Sequence, residues 1–155
     1  MQVVWQRDST ESQVTLPAHA VWCRDLGWLE LVGARSDTGV GLAVFPADTG
    51  YAGSYRLLPP QARTGTTKGV GAVAVRWFSR DELLAYEGLD GAAELRQEPA
   101  GLAGSIRARL RVPMGDDSLR LEAEFRGIPV TEGGIECRPV ERDDSTNEGG
   151  AEVLH

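Results

Sequence analysis

From Ala18 onward, apolar and polar residues alternate along this chain with a period of two, broken by glycine, proline and short Asp/Ser clusters. That period belongs to strands with one buried face, because successive side chains of a strand point to opposite sides. The clearest case lies in the C-terminal half. Ile106, Ala108, Leu110 and Val112 alternate with Arg107, Arg109 and Arg111, and Leu119, Leu121, Ala123 and Phe125 alternate with Arg120, Glu122, Glu124 and Arg126. Folding these runs over the 113–118 loop with Val112 opposite Leu119 sets Leu110 against Leu121 and Ile106 against Phe125. The same register sets Arg109 opposite Glu122 and Arg107 opposite Glu124, and opposite charges across strands are favourable. Ala93 and Leu95, followed by a turn at Glu98-Pro99-Ala100-Gly101, add a third strand to this meander.

Upstream, the pattern predicts strands from Ala18 to Arg24, Trp28 to Arg35, Val40 to Phe45, Ser54 to Leu58 and Val70 to Phe78. Val40–Phe45 is an almost continuous apolar run. Ser79-Arg80-Asp81-Glu82 has the capping-box spacing, a serine with a glutamate three residues later, before Leu83-Leu84-Ala85-Tyr86. At most one short helix, near 80–87, is therefore expected. The fold class is all-β: a two-layer antiparallel β-sandwich, or a closed barrel, of about eight or nine short strands. Residues 1–17 are polar after Trp5 and read as an N-terminal arm, 18–138 as the β-sandwich domain, and 139–155 as an acidic flexible tail.

Length and charge narrow the function. At 155 residues the chain fits one domain with a core large enough to stand without a metal. Its formal net charge of −7 opposes nucleic-acid binding, which needs a basic surface to displace counterions from phosphates. Anionic membranes are disfavoured on the same ground. No run approaches the ~18 apolar residues of a membrane helix. The first eight residues lack the features of a signal peptide, so the chain is expected to be cytoplasmic or to have lost such a segment.

Two cysteines, Cys23 and Cys137, stand near the two ends of the β-rich region. If the terminal strands are neighbours, a disulfide would close a loop of more than a hundred residues, worth ~4.7 kcal/mol on the chain-entropy account. The alternative is two separate buried thiols. A real disulfide would favour a periplasmic or secreted setting; otherwise the cytoplasm is expected.

Several triplets imitate chemistry. Asp37-Thr38-Gly39 and Asp48-Thr49-Gly50 both spell the aspartic-protease signature, whose two carboxylates must share a proton at close range. Here they flank a single strand and would sit at its opposite ends, and Asp-Thr-Gly is an ordinary turn sequence. Gly69-Val70-Gly71-Ala72-Val73-Ala74 matches a dinucleotide fingerprint, but that motif needs a strand before it and a helix after it. It reads as a loop entering a strand. Asp116-Asp117-Ser118 lacks the spaced ligands of a calcium loop and reads as a solvated hairpin tip. His19 and His155 stand alone, no serine has a nucleophile-elbow setting, and two cysteines without a histidine do not complete a zinc site.

No catalytic, cofactor-binding or metal-binding residue is therefore assigned, and no cofactor is expected. Of the four tryptophans, Trp22, Trp28 and Trp77 fall in strands and suit a core. Trp5, on an otherwise polar arm, suits either a partner contact or a fold back onto its own sheet. The leading expectation is a non-enzymatic interaction domain, an accessory or structural subunit held by other proteins. The alternative is a small-ligand-binding barrel lined by Trp22, Trp28, Trp77 and Phe45, and an unrecognised enzyme comes third.

Overall fold

The computed structural model describes residues 1–63, 67–79, 81–133 and Cys137. The expected acidic tail, 139–155, lies outside them. The chain is all-β, and its described residues form eleven strands: β1 (Gln2–Arg7), β2 (Thr10–Thr15), β3 (Ala18–Cys23), β4 (Trp28–Arg35), β5 (Thr38–Phe45), β6 (Gly53–Leu57), β7 (Val70–Ser79), β8 (Glu82–Glu98), β9 (Gly101–Arg111), β10 (Ser118–Ile128) and β11 (Val130–Glu132). Helical structure is sparse, with 3-10 turns at Arg24–Leu26 and Pro60–Ala62.

All eleven strands belong to one sheet, ordered β11-β3-β4-β5-β7-β6-β8-β9-β10-β1-β2. The sheet curls, so its two halves face each other across one core. Leu29, Leu31, Val40, Leu42 and Val75 from one half join Ile106, Leu110, Leu121 and Phe125 from the other in a single buried cluster. The fold is thus a curled half-barrel with more strands than the eight or nine expected. A kink at Leu16-Pro17 carries the chain from one half to the other: Leu16 bonds Met1, and the next carbonyl, of Pro17, accepts from Ala34 N–H at 3.0 Å.

Three local expectations are corrected. The capping-box segment is no helix: β7 and β8 form a hairpin there, pairing Trp77 with Leu84 and Val75 with Tyr86. A helix of two turns is marginal on its own, whereas the strand buries Tyr86 completely. The segment read as an arm is a hairpin instead, β1–β2, with β1 also paired to β10. The register between β9 and β10 lies two residues from the expected one, with Leu110 opposite Leu119, Ala108 opposite Leu121 and Arg109 opposite Arg120. A two-residue slide leaves every side chain on its own face, so apolar alternation cannot choose between the two registers. The turn chooses: Val112 N–H bonds the Asp117 carbonyl at 3.0 Å, and Arg109 finds its carboxylate on β8, at Asp90, rather than at Glu122.

Cys23 and Cys137 form a disulfide, with Cα atoms 5.3 Å apart and a sequence separation of 114. It ties the end of β3 to the segment following β11, which itself runs parallel to β3.

Candidate functional site

Two places in the fold depart from what a simple solvated half-barrel requires. The first is at one end of the core. β1, β7 and β8 aim Trp5, Trp77 and Tyr86 inward, where the rings stack in sequence. Trp5 and Trp77 have centroids 5.4 Å apart, and Trp77 and Tyr86 5.2 Å apart. Tyr86 donates its hydroxyl to Asp117 at 2.6 Å, and Arg7 bonds the same carboxylate at 2.7 Å. Burial pushes the Tyr86 phenol up to about 12, and its bond to the carboxylate pushes the same way. The bond from the Tyr86 hydroxyl is the largest effect on Asp117; burial opposes it, and the Arg7 guanidinium adds to it, so the carboxyl is held below the usual carboxylate range.

This network ties β1 and β8 to the β9–β10 turn. A phenol with its proton committed to a carboxylate is a poor base, and the stacked rings already occupy each other's faces. Trp5, the expected partner contact, is accordingly half-buried against Trp77. Of the other tryptophans, Trp22 is buried with Tyr51 at its edge, and Trp28 is half-buried.

The network has a pH signature. Asp117 titrates lower folded than unfolded, so its contribution is complete above the ordinary carboxylate value near ~4 and is lost as pH falls through the folded value. Asp117→Asn should cost about 1–2 kcal/mol at neutral pH, the value of a half-exposed charged hydrogen-bond pair. That cost should shrink towards zero in acid, as read from urea midpoints at the two pH values. An equal cost at both would assign the loss to packing rather than to the carboxylate.

The second place is the outer surface of β4, β5, β7 and the start of β8. Antiparallel sheets solvated on one side alternate apolar-in, polar-out, while strands covered on both faces read as continuous apolar runs. β10 obeys the first rule, facing outward with Ser118, Arg120, Glu122, Glu124 and Arg126. β5 and β7 obey the second. Their inward residues are Val40, Leu42 and Val44, and Val73 and Val75. Their outward residues are Gly39, Gly41 and Ala43, and Ala72 and Ala74.

The registers align these outward residues in rows across the strands. Val32, Gly41, Ala74 and Glu87 form one row, and Ala34, Gly39, Arg76 and Ala85 the next. Around Gly41 the space is open, and a side chain added there would meet nothing within 4 Å. The rows line a depression of about 400 Å³, apolar at Val32, Ala34, Gly41 and Ala74 and charged at Glu30, Arg76 and Glu87. Beyond it, the cross-strand pair Phe78 and Leu83 stands 54% and 51% exposed. A mainly apolar surface with a few charges and protruding apolar side chains has the anatomy of a protein interface.

The remaining sequence motifs fall where turns and strands need them. Asp37 and Asp48 sit beyond opposite ends of β5, Gly69 enters β7 at φ +70°, and His19 points outward from β3. Among the described residues, no three His, Cys, Asp or Glu side chains gather as a metal site would need. Sequence reasoning passed over the outward face of β5 and β7, although the almost continuous apolar run of Val40–Phe45 was the signal that could have found it. Compared with family models, curated proteins and solved structures, the chain matches none of them.

Proposed function

We propose that this protein is a non-enzymatic interaction domain, an accessory subunit that docks another protein on the outward face of β5 and β7. The observation that carries this reading is the composition of those two strands, which are apolar on both faces apart from the outward Arg76 while, among the described residues, only the inner face is covered. The other half of the sheet supports it by contrast, because β10 presents only polar residues outward. A curl filled by its own side chains suits docking on the outside better than a ligand within. The disulfide fits an extracytoplasmic setting, where such bonds persist.

Ala74 is exposed at the centre of this face. Ala74→Glu should therefore abolish recovery of the partner complex, because it buries a charge in an apolar contact. Thermal stability should hardly change. Ala92→Glu, an equally exposed alanine on β8, serves as the control and should retain the complex. Loss of the complex in both variants, or in neither, would remove the assignment of this face.

A further inference from the structure

The two edges of the sheet are built differently. At one end β11 is three residues long, runs between Pro129 and Gly133, and lies beside β3, whose last residue carries the disulfide. Shortness and proline are the usual devices that keep an edge from pairing with another chain. At the other end β2 is six residues, Thr-Glu-Ser-Gln-Val-Thr, without proline, lysine or any break in its register to β1.

The register shows which β2 groups are unused. Met1 and Leu16 exchange backbone hydrogen bonds of 2.8 and 2.9 Å. Hydrogen-bonded pairs recur every second residue in an antiparallel ladder, so Val14, Ser12 and Thr10 also direct their backbone groups to β1. Glu11, Gln13 and Thr15 therefore present N–H and C=O to the open side, and among the described residues β2 pairs with β1 alone. All three are exposed.

We propose that β2 pairs antiparallel with β2 of a second copy of this chain, about a two-fold axis through Gln13. Two conditions limit the register, and the one centred on Gln13 is the choice that also pairs all three open residues without setting Glu11 against itself. Opposed residues must lie on the same face of the sheet, and every outward-pointing residue must meet another outward-pointing residue. Centring on Gln13 satisfies both: Gln13 faces its own copy, and Glu11 faces Thr15 in both directions, as three hydrogen-bonded pairs. On the inner face Ser12 meets Val14. No like charges are opposed. The arrangement also places an acid near a free cation. Arg35 follows Ala34, whose N–H bonds Pro17 at the C-terminal end of β2, and it is exposed and in no ion pair among the described residues. The second copy's Glu11, and Asp8 in the turn beyond it, approach that end.

The pairing is independent of the β5–β7 face, and each can fail without the other. Because Gln13 opposes itself, a charge exchange tests the register. Gln13→Lys and Gln13→Glu use an exposed side chain whose backbone groups β1 does not need, so both variants should fold. Sedimentation over a concentration series should show a dimer for the natural chain and self-association weakened roughly tenfold or more in each variant alone. An equimolar mixture of the two should recover the dimer. A natural chain that stays monomeric, a dimer retained in both variants, or a mixture that stays monomeric would each overturn the proposal.

Discussion

Reducing the Cys23–Cys137 disulfide should destabilise the protein by about 4.8 kcal/mol, the chain-entropy value for a 114-residue separation. Total stabilities of domains this size run only about 5–15 kcal/mol. The reduced chain should therefore unfold at a far lower denaturant concentration, and a marginal one would be partly unfolded without denaturant. The bond closes a loop that holds eight of the eleven strands, β4 to β11, so much of the entropy of the unfolded chain is affected. Cys23→Ser with Cys137→Ser should reproduce the loss, which is read from denaturant midpoints of oxidised, reduced and substituted protein. Equal midpoints for all three would show that the folded chain does not depend on the link.

Gly91→Val should cost about 4 kcal/mol, combining a backbone conformation that only glycine adopts easily with steric overlap in a packed sheet. Gly91 has φ +139°, and a Cβ there would lie 2.7 Å from Ala108 Cα and collide with the Arg107 carbonyl oxygen. The position matters because β8 changes partner around it. Residues 82–87 pair with β7, residues 91–95 pair with β6, and a bulge between Gly88 and Asp90 turns the strand between them. Distorting Gly91 disturbs β6, β7 and β9 together. The denaturant midpoint measures the effect; a loss below about 1 kcal/mol, the ordinary cost of a surface change, would mean that the bend is not fixed there.

The parts of the fold legible in the sequence are those whose pattern depends on one buried face. β3 and β4 start where the alternation places them, at Ala18 and Trp28, and Leu110 and Leu121 share the inner face as expected. What could not be read depends on neighbours. β2 lies at the margin of the core, where even its inward positions include Thr10 and Ser12, so its sequence resembles a polar arm. Glu82–Tyr86 carries a true helix-start signal that pairing with β7 overrides. The β9–β10 register differs from the expected one by a full side-chain period, and only the turn and Asp90 distinguish the two.

The candidate site was less legible than the fold. Trp5 drew attention as an aromatic in a polar context, but Trp77, far away in sequence, supplies the ring against which it stacks. The outward alanines and glycines of β5 and β7 look unremarkable singly. They become a surface only when the registers set Gly41 beside Ala74 and Val32.

The most direct test of the proposed docking face is site-specific photocrosslinking in the cells from which the protein comes. A photoreactive residue at Ala74 should give a crosslink to a different protein, and the same group at Glu124, on the charged half of the sheet, should not. Equal products from both positions, or only a crosslink of Ala74 within its own chain, would contradict a partner docked on β5 and β7.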